Sequence, residues 1–151
     1  MDFLVDKVFS LKAVPIFESL PEASLLDVAR IMEYEEFQKG EEFIRKGDIA
    51  EDMYIIKKGK VAVVDGDVIL ANLGENEIVG ELAVLAPIRR TASVKALTDV
   101  ILYRIEREFF LDLLYEKPEM MGDLIEILIG RIMFLNGELK KYQSLLTTKK
   151  S

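Results

Sequence analysis

Between Phe37 and about Ile105 the chain is broken into short apolar segments by glycine turns at Gly40, Gly47, Gly59, Gly66 and Gly74, a pattern that reads as short strands. Val61-Ala62-Val63-Val64 and Val68-Ile69-Leu70 flank Asp65-Gly66, a dipeptide that closes hairpins because it tolerates positive φ. Several such strands must bury their apolar faces together. An antiparallel roll or barrel over residues 37–105 is therefore expected.

The flanks have a different period. Leu25, Val28, Ala29 and Met32 follow the i, i+3, i+4, i+7 spacing of one buried helical face, with Ser19 and Pro21 marking its start. Residues 1–36 thus read as N-terminal helices. Residues 106–151 read as C-terminal helices, first Glu106 to Glu116 and then a run beyond Pro118. The fold class expected is α+β, mainly β: a β-roll or jelly-roll barrel flanked by helices, in one domain of 151 residues.

In the last helix Met121, Ile125, Leu128, Ile132, Leu135, Leu139, Tyr142 and Leu146 alternate in steps of four and three, the seam spacing of a coiled coil. Two readings fit this seam. The proximal part packs on the roll and the distal part frays, since Gly130 and Gly137 each cost about 1 kcal/mol relative to alanine; or two copies pair in parallel as a homodimer.

Composition removes several function classes. There is no cysteine and no histidine, so a disulfide framework, a thiol nucleophile, a Ser-His or Cys-His pair and a Cys/His zinc site are all excluded. The carboxylates show no metal-ligand spacing, and neither a cofactor nor a catalytic activity such as phosphodiesterase is expected. Twenty Lys and Arg against 27 Asp and Glu give a net charge of −7, which disfavours nucleic acid or an anionic membrane as partner. Asp2, Asp6 and Lys7 interrupt the start, so no signal peptide or spanning helix is read there, and a cytoplasmic location is expected. The final Thr147 to Ser151 reads as a solvated tail.

Against this acidic background, Gly80 to Val94, GELAVLAPIRRTASV, forms a local anion site. Gly80 permits a tight turn or close approach of a ligand, and Glu81 to Ala86 is a short helix-forming run stopped by Pro87. The unpaired N–H groups of such a first turn, at Gly80, Glu81, Leu82 and Ala83, attract phosphate. Arg90 can fold back to add a permanently charged fork, and Thr91 adds a hydroxyl. Ala92, Val94 and Ala96 alternate with Ser93 and Lys95, so the chain leaves as a strand. Arg89, next to Arg90 in an extended segment, would face the other way. Glu81 would repel a phosphate unless it has other work. Accepting hydrogen bonds from a sugar hydroxyl would make this a ribose phosphate site; the alternative is a first-turn glutamate paired with Arg90.

Gly80-Glu81-Leu82-Ala83 followed by Arg89-Arg90-Thr91-Ala92-Ser93-Val94 resembles the phosphate-binding cassette of cyclic nucleotide-binding domains. The RRTASV form is most similar to channel members of that family. Phe43-Ile44-Arg45-Lys46-Gly47-Asp48 and Met53-Tyr54-Ile55-Ile56-Lys57-Lys58-Gly59 resemble its first strands and glycine turns. The resemblance implies a non-catalytic sensor of cAMP or cGMP, with Gly80, Glu81, Leu82, Ala83, Arg90, Thr91 and Ala92 around the ligand and Leu82 and Val94 walling it. It also implies that the last helix is a lid whose Arg131 caps the purine, and that an effector domain or partner chain receives the signal. Two features leave the base and the loop path open: Thr91 occurs in relatives of both preferences, and the proline that kinase members carry directly before the arginine is here Pro87, three residues earlier. The competing reading is a dimerisation or scaffold module with the same roll and no ligand. A DNA-binding regulator is not expected, because no helix-turn-helix unit follows the last helix.

Overall fold

The computed structural model describes residues 3–150 and the side chains of residues 3–148; expectations that rest on Asp2, on the side chains of Lys149 and Lys150, or on Ser151 lie outside them. Two helices, α1 (Phe3–Leu11) and α2 (Glu22–Ile31), precede ten strands. The strands are β1 (Glu33–Phe37), β2 (Glu42–Ile44), β3 (Ile49–Ala50), β4 (Asp52–Lys58), β5 (Val61–Asp65), β6 (Val68–Leu73), β7 (Ile78–Val79), β8 (Ile88–Arg89), β9 (Ser93–Ala96) and β10 (Val100–Glu106). Helices α3 (Arg107–Glu116) and α4 (Pro118–Lys150) close the chain.

The strands form two four-stranded antiparallel sheets, ordered β1-β10-β4-β7 and β2-β9-β5-β6, and a separate short pair, β3-β8. The expected α+β roll is thus the observed fold. Val61 to Asp65 and Val68 to Leu73 form the anticipated hairpin, with Gly66 at φ 61°.

β4 and β10 are buried on both faces, and their side-chain alternation divides the interior in two. Met53, Ile55, Tyr103 and Ile105 face the helices and join Leu25, Val28, Ala29, Phe17, Phe110 and Leu124 in one core. Tyr54, Ile56, Val100 and Leu102 face inward and pack on Ile44, Val61, Val94 and Ala96 of the second sheet. The α2 face read from the sequence is the one buried, Met32 included.

One boundary differs. β1 starts at Glu33, inside the span expected to be helical, and pairs with β10 along its length. Its sequence, EYEEF, lacks apolar alternation because Glu33 and Glu35 are held by ion pairs to Arg104, at 3.7 and 2.9 Å, more than by burial. The start of α4 packs on the helical core through Met120 and Leu124, with Met121, Ile127 and Leu128 beside them. Beyond that, Ile132, Leu135, Leu139, Tyr142 and Leu146 are exposed.

Candidate ligand-binding site

The cassette begins where β7, paired to β4, runs into Gly80. Gly80 takes φ 77°, and a Cβ placed on it would come within 2.6 Å of Arg90 Nη1 and 2.9 Å of the Asp52 carbonyl oxygen. Only glycine fits both the left-handed backbone and this approach. Glu81–Val84 then forms a single 3-10 turn, shorter than the six-residue helical run expected. Leu85 and Ala86 both return their N–H to the Leu82 carbonyl, at 3.0 and 3.1 Å, and Pro87 ends the run. Ala83 and Val84 are buried, and Val84 belongs to the helical core, so the turn is anchored from below.

Of the four amides expected to attract a phosphate, Ala83's donates to the Gly80 carbonyl at 3.0 Å and closes the turn. Leu82 is exposed, whereas Val94, expected beside it as a wall, is buried within the roll. The half-buried apolar side chains next to that core are instead Phe37, Phe43, Val63, Leu73 and Val79.

Arg90 is fixed at both backbone groups. Its N–H donates to the Asp48 carbonyl at 2.7 Å, and its own carbonyl accepts from Gly47 N–H at 2.8 Å. The guanidinium turns inward, where Nη2 donates to the Asp52 carbonyl at 2.9 Å. Burial lowers its pKa from the ordinary arginine value, while the charges of Tyr54 and Asp52 act in the opposite sense; the group remains a cation at neutral pH. Arg89 points the other way, exposed, and donates to the Gly47 carbonyl at 2.7 Å. The pair of arginines thus divides as the extended backbone dictates. Thr91 is exposed and Ala92 half-buried just beyond.

The long helix returns to this place. Arg131, on α4, forms an ion pair through Nη1 with the Glu81 carboxylate. Glu81 therefore pairs with the last helix and not with Arg90, the partner named in the alternative reading of this carboxylate. The structure brings together Gly80, Glu81, Leu82, Ala83, Arg90 and Arg131 around one turn.

Asp52 escaped sequence reasoning. Its carbonyl holds Arg90, and its Oδ2 accepts from Arg104 Nε at 3.0 Å. A backbone acceptor has no sequence signature, so only the fold could disclose it. Arg90, Asp52, Tyr54 and Phe43 line a cavity of about 160 Å³. Desolvation pushes the Tyr54 hydroxyl pKa up to about 12. Among the described residues no group of three or more His, Cys, Asp or Glu could hold a metal ion. No helix among them is long and apolar enough to cross a membrane.

A left-handed glycine, a half-buried arginine and a carboxylate are thus gathered at one turn that leads out of the β-roll. The cyclic nucleotide-binding domain family model matches residues 34–117. The chain belongs to the cyclic nucleotide-binding domain family. It is 33% identical over 125 residues to a cyclic nucleotide-gated cation channel protein of Drosophila melanogaster, covering 78% of this chain and 19% of that protein. The chain thus spans about a fifth of the length of the curated relatives it matches. Among solved structures, the N-terminal domain of a transcriptional regulator from Streptomyces coelicolor A3(2) superimposes with a TM-score of 0.78 at 26% identity, over 86% of this chain and 94% of that one. The regulatory domain of Toxoplasma gondii PKA, solved with cAMP, gives a TM-score of 0.65 at 27% identity, over 72% of this chain and 43% of that one.

Proposed function

We propose that this domain is a non-catalytic sensor that prefers cAMP and transmits binding through α4. The observation that carries this reading is the meeting of Arg90, Glu81 and Arg131 at the Gly80 turn. The cyclic phosphate takes the Arg90 guanidinium, the Leu82 N–H and the Thr91 hydroxyl. Ala83 N–H joins by sharing its bond with the Gly80 carbonyl, a three-centre arrangement common at helix ends. Glu81 accepts from the ribose 2′-OH, and the base lies against the roll beside Val63, Leu73 and Val79 under α4.

In this reading Arg131 has two partners in turn. Without ligand it neutralises Glu81; with ligand it yields the carboxylate to the ribose and stacks its guanidinium on the purine. That exchange gives the ligand a different affinity for the two lid positions, which any coupling requires. The relative solved with cAMP supports the choice of base. A thermal-shift comparison tests it: cAMP at about a hundred times its dissociation constant stabilises by about 2.7 kcal/mol, cGMP stabilises less, and AMP leaves the melting temperature unchanged. A larger shift with cGMP would reverse the base assignment. Incubation with cAMP yields no AMP.

The output of the domain follows from the distal half of α4. Helix α4 is 33 residues long, and its seam residues Ile132, Leu135, Leu139, Tyr142 and Leu146 are exposed. A homodimer through this seam buries them. Sedimentation at micromolar concentration reports a dimer if this holds and a monomer if the helix instead contacts an effector domain or another chain.

A further inference from the structure

Asp52 joins the arginine of the binding site to a cluster of charge on the first sheet. Across the β4–β10 ladder Asp52 lies opposite Glu106 and Tyr54 opposite Arg104, so the two-residue period puts all four on one face. β1 brings Glu33 opposite Arg104, with Glu35 two positions along. Arg104 consequently meets four carboxylates: Glu106 at 2.8 Å, Glu35 at 2.9 Å, Asp52 at 3.0 Å and Glu33 at 3.7 Å.

Arg90 has the opposite surroundings. Its side-chain hydrogen bond among the described residues goes to an uncharged carbonyl, that of the same Asp52. The Asp52 carboxylate is near enough for its charge to act on Arg90. Both residues line the one cavity of about 160 Å³, which gives a released carboxylate room to turn toward the guanidinium. An arginine–carboxylate pair is stronger than an arginine–carbonyl bond, and an anion seated on Arg90 competes with a phosphate for the same donors.

We propose that Arg104 is a positioning residue for ligand binding: it holds the Asp52 carboxylate aside and keeps the Arg90 guanidinium open to the phosphate. This rests on the reading of Arg90 as the phosphate donor. Arg104 itself touches no ligand. Its effect passes through the side chain of Asp52, while the carbonyl of the same residue aims Arg90.

Calorimetric titration of the whole chain with cAMP tests the proposal. Arg104→Met weakens binding about fivefold or more, and Asp52→Asn added to it recovers most of the loss, because an amide of the same shape carries no charge to compete. Undiminished affinity in Arg104→Met, or a loss that Asp52→Asn does not relieve, overturns the proposal; the second result is that of a merely structural arginine. Removal of Arg104 leaves mutually repelling carboxylates. If that variant does not fold, the comparison is made with Glu33→Gln, Glu35→Gln and Glu106→Gln also present. In that background the addition of Asp52→Asn must tighten binding, and equal affinity with and without it overturns the proposal. Arg90→Ala separates the two levels: unchanged affinity there overturns the reading of Arg90, whereas a loss there with no effect of Arg104→Met overturns only the role of Arg104.

Discussion

Glu81 on the cassette turn and Arg131 on the last helix, fifty positions apart in the chain, form an ion pair that ties the C-terminal helix to the roll. The Arg131 side chain is 41% exposed, so the pair itself contributes about 0–1 kcal/mol to stability. On the proposed reading of Arg131 as a purine cap, its consequence for ligand binding is larger than its consequence for folding.

Arg131→Ala therefore lowers the melting temperature of the free domain only slightly. It weakens cAMP about fivefold through loss of the stacked guanidinium. Thermal shift with and without cAMP measures both effects. A large loss of stability without ligand, with affinity intact, would mean that Arg131 is a structural clamp only.

Gly80→Ala and Gly59→Ala separate site from scaffold. Each glycine has positive φ, 77° and 97°, so alanine costs about 1–2 kcal/mol at either place. At Gly59 the added methyl meets the Asp99 carbonyl at 2.5 Å, with Val100 and Thr98 its next neighbours and no cassette residue among them, and the loss is one of stability. At Gly80 it meets Arg90 Nη1 at 2.6 Å and also displaces the guanidinium. Urea denaturation shows both variants destabilised, while cAMP titration shows reduced affinity for Gly80→Ala.

Much of this was legible in the sequence, for identifiable reasons. The α2 face, the Gly66 hairpin and the β9 alternation of Val94 and Ala96 announce themselves because burial on one face imposes a period. β1 does not, since ion pairs to Arg104 replace apolar alternation as what holds Glu33 and Glu35 in place. β3 and β8 have two residues each, too few to show any period. Within the site, Gly80, Glu81 and Arg90 stand out by residue type. The roles of the Asp48 and Asp52 carbonyls do not, because any residue carries that acceptor.

Alkaline stability follows from Tyr54. Burial raises its pKa from 10.0 to about 12 in the folded chain, so between these values the unfolded chain loses the proton while the fold retains it. A raised folded pKa contributes stability that is complete below pH 10 and lost as pH rises toward 12. Urea midpoints measured from about pH 9 to 12 decline, and Tyr54→Phe makes the decline shallower. A residual slope remains from Tyr103, whose pKa is raised by burial and by its hydrogen bond to Asp6.

The assignment of Arg90 to the phosphate is tested most directly by calorimetric titration of cAMP into the native chain and Arg90→Ala. A charge-assisted phosphate bond contributes about 1.5–3 kcal/mol, so the native chain binds one cAMP per domain and the variant binds at least about tenfold more weakly with its fold intact. Equal affinity of the two proteins, or no saturable binding by the native chain, would contradict the account.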